Sequence, residues 1–239
     1  MHGRIRIGAA ALLLLGLNAF APPATESAAA HVGTFAPPHT QTPIAGWHLQ
    51  SSAVATAGGE VLSRPEYDPA GWYRVSARST VMAGLIENGR YPADLFHSTN
   101  LQKVDKAPFQ VPWWYRETIV ADASSQHTTL RVAGVTSKAD VWFNGTLLTT
   151  LAGSHNATQI DVSRALRPGR NGLAIKVFPA DANRDFTIGW IDWNPYPPDN
   201  NMGIWQDVTL HRTGGVSLAK PRVRTKPMLN RWSMVHTDA

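Results

Sequence analysis

Five glutamates, Glu26, Glu60, Glu66, Glu87 and Glu117, are the whole supply of that residue in a chain of 239. Their scarcity bears directly on chemistry. Cutting a glycosidic bond by the retaining route takes two carboxyl groups facing one sugar, about 5 Å apart. Glu26 lies in the N-terminal targeting segment, Glu60 and Glu66 in loops, Glu87 at the end of a helical run, and Glu117 after Arg116 on an alternating run. No motif joins two of them, so no catalytic residue is assigned. His97, His127, His155 and His211 show no metal-ligand spacing. The chain has no Cys, which removes disulfides, thiolate metal sites and a cysteine nucleophile. It also lacks a GxSxG elbow. Gly169-Arg170-Asn171-Gly172 reads as a turn with no helix behind it to cradle phosphate. No metal and no cofactor are assigned.

The segment Asp185 to Val208, DFTIGWIDWNPYPPDNNMGIWQDV, is the most informative stretch. Trp190, Trp193, Tyr196 and Trp205 are interleaved with Asp192, Asn194, Asp199, Asn200 and Asn201. Flat aromatic faces and planar amides or carboxylates are what sugar C–H faces and hydroxyls need. Such groups collect on long loops carried by a rigid scaffold. The competing reading makes Trp190 and Trp205 core residues at strand ends, with Pro195, Pro197 and Pro198 stiffening a surface loop. For Trp205 alone, core packing is the expectation.

These groups need a scaffold, and the body of the chain supplies one. Alternating runs, candidate strands, occur at Trp47–Ser52, Gly71–Ser76, Trp114–Val120, Thr128–Val135, Ala139–Phe143, Thr146–Leu151, Gln159–Val162, Leu173–Phe178 and Asp207–His211. Strands roughly ten residues apart with turn signals between them predict an all-β sandwich or barrel. Asn144-Gly145 between two such runs predicts a type I′ hairpin. Only Ser79–Glu87 and a turn near Pro92–Phe96 look helical. Asn144 and Asn156 stand in Asn-x-Thr sequons; the first is needed for its turn, and at the second both glycosylation and a plain loop remain open.

The ends differ from the body. Arg4 and Arg6, the apolar stretch Gly8–Ala21, and Ala28-Ala29-Ala30 have the three parts of a secretory signal over residues 1–30. The apolar run is shorter than the ~20 residues of a membrane span, so a secreted, extracellular protein with no membrane partner is expected. Residues 31–45 read as a flexible leader, 46–215 as one domain, and 216–239 as the start of another, in which PMLNRWSMVHTDA shows neither period nor partner. The net charge of +5 is scattered, which gives no nucleic-acid footprint.

The order WWYRETI (Trp113–Ile119), ADVWFNG (Ala139–Gly145), LRPGRNGLAIKV (Leu166–Val177) and GIWQDVTL (Gly203–Leu210) resembles the N-terminal sugar-binding domain of glycoside hydrolase family 2. IENGRYPADLFHSTN (Ile86–Asn100) and IDWNPYPPDNNMGIW (Ile191–Trp205) are similar to its exo-β-D-glucosaminidase branch, which acts on chitosan oligosaccharides. Asn194 departs from the Asp-Trp-Gly-Pro of the β-mannosidases. The resemblance implies a jelly-roll-like, galactose-binding-domain-like β-sandwich, followed by an immunoglobulin-like domain whose first strand Lys220–Thr225 would be. A catalytic barrel, absent from this chain, would carry the reaction and be the sandwich's partner. It also implies that Asp192 hydrogen-bonds the terminal glucosamine of an oligosaccharide and Trp193 walls its pocket, with Asn194 and Asp199 assigned by loop position only. Two alternatives stand beside it: a free-standing carbohydrate-binding module, and a fragment of a β-mannosidase of the same family.

Overall fold

A computed structural model describes residues 40–122, 127–181, 183–185 and 196–216, together with the backbone of residues 222–227 and 233–238. In chain order the elements are β1 (Thr40–Pro43), β2 (Gly46–Ser51), α1 (Gly59–Leu62), β3 (Tyr73–Ser76), β4 (Ser79–Thr80), α2 (Val81–Glu87), β5 (Trp113–Ala121), β6 (His127–Val132), β7 (Val135–Thr136), β8 (Lys138–Phe143), β9 (Thr146–Ala152), β10 (Thr158–Asp161), β11 (Gly169–Phe178), β12 (Gly203–Ile204), β13 (Val208–Thr213), β14 (Arg222–Pro227) and β15 (Ser233–Asp238). Two short 3₁₀ turns, Asn100–Lys103 and Ala107–Phe109, lie between α2 and β5.

The strands form an antiparallel β-sandwich. One sheet has the order β3-β2-β5-β11-β8-β9, the other β1-β13-β6-β10, and a small third sheet, β4-β12-β7, joins distant parts of the chain. Strands buried on one face show the alternation that period-2 side-chain direction demands, as in β6 and β8. The central strands β5 and β11 are buried almost throughout. Trp47, Leu49, Tyr115, Val141, Phe143, Leu173 and Ile175 from the larger sheet share one core with Leu130, Val132, Val208 and Leu210 from the smaller. A second cluster, Ala55, Leu62, Trp114 and Ala174, with Tyr67, Trp72 and Trp142 against it, covers the opposite face of the larger sheet. The segment after β2, including α1, is therefore a lid over that face.

The all-β, galactose-binding-domain-like fold follows the sequence expectation. Asn144 and Gly145 both take positive φ, +49° and +87°, and β8 pairs with β9 across them. Asn144 Nδ2 also donates to the Ala165 carbonyl and to Asn171 Oδ1, each at 2.8 Å.

Several details differ from the sequence reading. Thr40–Pro43, assigned to the flexible leader, is an edge strand in register with Thr209–Arg212; all four of its residues are exposed, so it carries no alternation for the sequence to show. Arg170–Gly172, read as a turn, belongs to β11, paired with Thr118–Val120. Ser79–Thr80 pair as β4, so the helix starts at Val81. Ser233–Asp238, read as lacking a partner, pair with Arg222–Pro227. Residues 1–39, which include the segment read as a secretory signal, lie outside the described residues.

Candidate functional site

The loop expected to meet sugar leaves the sandwich after β11 and returns at β12. Asp192, Trp193 and Asn194 lie outside the described residues. Asp199 lies within them, at the point where the chain comes back. It is 2% exposed. Its Oδ2 accepts the Met82 N–H at 2.7 Å and its Oδ1 the Asn201 N–H at 3.0 Å. The side chain therefore faces two backbone donors and offers no exposed oxygen to a sugar. Burial pushes its carboxyl above the usual carboxylate range, opposed by those amides and by Thr80.

The reason for this carboxylate is local. The first N–H groups of a helix have no intrahelical acceptor, and here each finds one outside α2. Val81 N–H donates to the Met202 carbonyl at 2.8 Å, Met82 to Asp199, and Ala83 to Thr80 Oγ1 at 3.2 Å. The start of α2 and the end of the loop are thereby sewn together. Gly203 completes the seam: a Cβ there would meet the Ser79 carbonyl, Thr80 Cα and Tyr115 Oη, each at 2.6 Å, and its φ is +150°. Tyr115 Oη donates to the Ser79 carbonyl at 2.9 Å, and burial first, then Asp199, raises its pKa well above that of a free phenol.

Trp205 is half-buried. Its Nε1–H donates to the Ser154 carbonyl at 3.0 Å, and its ring meets His155 edge-on at 5.1 Å, so it packs rather than presents a face. Tyr196 is 41% exposed.

A cavity of about 470 Å³ opens on the segment between α2 and β5, lined by Tyr91, Leu95, Val104, Asp94, Asp105 and Asn100 among others. Tyr91 packs on Phe109 at 6.3 Å between ring centroids. Asn100 Nδ2 donates to the Asp94 carbonyl at 3.2 Å, and Asp105 Oδ1 accepts the Ala107 N–H at 2.9 Å. An aromatic ring beside carboxylates and an amide is the same chemistry that marks the loop. Nothing in the spacing of these residues foretells a shared cavity, because irregular turns bring them together.

The described glutamates remain apart in their engagements. Glu87 accepts Ser76 N–H at 3.1 Å and Ser76 Oγ–H at 2.9 Å, while Glu117 pairs with Arg74. Among the described residues no three His, Asp or Glu side chains converge on a metal position. Nor is any described helix long and apolar enough to cross a membrane.

Residues 47–186 match the family described as "Glycosyl hydrolase 2 galactose-binding domain-like". The chain belongs to this family. Within it, an exo-β-D-glucosaminidase of Amycolatopsis orientalis is 48% identical over 188 residues, covering 77% of this chain and 18% of that protein. One from Arthroderma benhamiae is 40% identical over 224 residues, covering 90% of this chain and 24% of its own length. The crystal structure of the A. orientalis exo-chitosanase CsxA superposes with a TM-score of 0.73 at 47% identity, over 78% of this chain and 22% of that one. A β-D-mannosidase of Dictyoglomus thermophilum shares the fold at 17% identity, with a TM-score of 0.62. The chain thus spans about a fifth of the length of these glucosaminidase relatives.

Proposed function

We propose that this chain is the non-catalytic sugar-binding domain of a secreted exo-β-D-glucosaminidase, an enzyme releasing glucosamine from the non-reducing end of chitosan oligosaccharides. The observation that carries the reading is the 48% identity, over most of the sandwich, to a protein with that activity. The engagement of Glu87 by Ser76 and of Glu117 by Arg74 is consistent with a binding role, since retaining glycoside hydrolysis uses a pair of carboxyl groups facing one sugar. Export is supported by the three-part signal over residues 1–30.

In this reading Asp192 accepts hydrogen bonds from the terminal sugar, Trp193 walls its pocket and Asn194 borders them, on a face completed by a catalytic barrel. Asp199 contributes from beneath, by fixing the returning end of the loop. A cationic amino sugar is drawn to carboxylates on this face, because unlike charges a few Å apart attract even when partly screened.

Calorimetry of the purified chain with glucosamine oligomers tests the proposal. Binding weaker than millimolar and no release of free glucosamine are expected. Saturable sub-millimolar binding would instead make the chain a self-sufficient carbohydrate-binding module. In a full-length relative, replacing the residue matching Asp192 by Ala is expected to lose a charged hydrogen bond, ~1.5–3 kcal/mol of kcat/KM.

A further inference from the structure

The covered face of the larger sheet is not covered to its end. Beyond Trp114 the strand register sets Arg74 of β3 opposite His48 of β2, and His48 opposite Arg116 of β5. Like charges placed directly across a sheet destabilise it. Arg74 is relieved by Glu117, and burial, ahead of the neighbouring arginines, holds His48 toward its neutral form. Arg116 has no ion-pair partner among the described residues: Glu117 and Asp68 favour its charge only from a distance, and the Tyr67 ring centroid lies 5.9 Å from its guanidinium carbon.

Arg116 is 1% exposed. Its Nη1 donates to Thr118 Oγ1 at 2.6 Å, its Nη2 to the Arg64 carbonyl at 3.1 Å, and its Nε to the Leu62 carbonyl at 3.4 Å. These acceptors are neutral and engage three of the five N–H groups that a guanidinium carries. Among the described residues no carboxylate comes within 4.0 Å of it. A buried cation without a contacting anion is costly, and burial, opposed by Glu117 and aided by Arg170, lowers its pKa.

Over this row lies a cavity of about 380 Å³ lined by His48, Asp68, Trp72, Arg74, Arg116 and Arg170, with Thr118 at its floor. Arg170 is exposed and donates to the Pro65 carbonyl at 3.5 Å. Three guanidinium groups thus face a single lining carboxylate, Asp68.

We propose that this cavity is an oxyanion site, which takes one carboxylate or sulfate group on Arg116 and Arg170, with Arg74 at the outer end of the row. Planar guanidinium forks match such groups two oxygens at a time. Trp72 supplies an apolar wall that keeps the site from being an open patch of charge.

The test is titration of the 239-residue chain with sodium sulfate and, separately, with N-acetylglutamate, each against sodium chloride at matched ionic strength. Calorimetry and the change in tryptophan fluorescence that is lost in Trp72→Phe are the readouts. Saturable binding that chloride does not reproduce is expected, weakened at least ten-fold in Arg170→Gln and unchanged in Arg184→Gln, an exposed arginine outside the cavity. Tighter binding of sulfate identifies a dissolved anion as the natural occupant; tighter binding of N-acetylglutamate identifies an acidic side chain from another protein segment. Equal responses to both salts and chloride, or full affinity in Arg170→Gln, would overturn the proposal. Arg170 and Arg74 are exposed, so Arg170→Gln and a parallel Arg74→Gln test the site without disturbing the core.

Discussion

Replacing Asp199 by Ala should loosen the returning end of the loop and the start of α2 together. The substitution strands two donors, Met82 N–H and Asn201 N–H, which now reach the carboxylate at 2.7 and 3.0 Å. Each buried donor left without an acceptor costs about 1–3 kcal/mol. Against that, the mutant no longer buries a carboxylate, whose raised pKa shows that desolvation outweighs its hydrogen bonds. The expected loss near neutral pH is therefore about 2–4 kcal/mol, in the lower part of the summed range. For a domain of this size that corresponds to a fall in Tm of roughly 5–15 °C.

The pH dependence fixes the sign. A carboxyl whose folded pKa lies above its unfolded value binds its proton more tightly when folded. Its stabilising contribution is complete below the ordinary carboxylate range and is lost as pH rises through the raised folded value. Asp199→Ala removes that contribution. The stability gap between the native chain and the variant should thus be widest in mild acid and narrow as the pH rises. Urea unfolding at several pH values, followed by tryptophan fluorescence, measures it. A gap under ~0.5 kcal/mol, or one that widens with rising pH, would refute the role assigned to this carboxylate.

Two further expectations concern single sites. Gly203→Ala places a methyl group 2.6 Å from the Ser79 carbonyl, Thr80 Cα and Tyr115 Oη; a loss of about 1–3 kcal/mol is expected, measured as a fall in urea midpoint. Asp161 is held below the usual carboxylate range first by the Ser163 hydroxyl and then by the Ser163 amide. Ser163→Ala should raise its pKa toward the ordinary value, as read by an NMR titration of the side-chain carboxyl.

Strands that bury one face were legible in the sequence, because alternation is imposed by the core they meet. The runs at Thr128 and Ala139 are of this kind, and Asn144-Gly145 announced its own turn through its φ preference. What escaped has another physical origin. Thr40–Pro43 pairs with β13, far along the chain, and Ser233–Asp238 with Arg222–Pro227; a distant partner, or a strand with no buried face, leaves no local pattern to read. At the candidate site, position in the loop placed Asp199 beside sugar, yet a carboxylate is equally suited to capping amides, and its burial against Met82 and Asn201 favours the second role. Arg116 was read as part of a motif. That it is a buried cation emerges once Leu62, Arg64 and Thr118 are placed around it.

The two-residue strand β12 has a kinetic meaning as well. The β8–β9 hairpin closes across two residues and can form early, whereas Gly203 and Ile204 must find Ser79–Thr80 and Val135–Thr136 far back along the chain. Closing so long a loop costs chain entropy before the few hydrogen bonds of β12 return anything. Pairing of Val208 with Val132 brings the same two chain segments together, so on refolding β12 should settle only once β13 has joined β6. The seam that holds Asp199 and Gly203 against α2 would then be set late, after the pairing that brings its strands together.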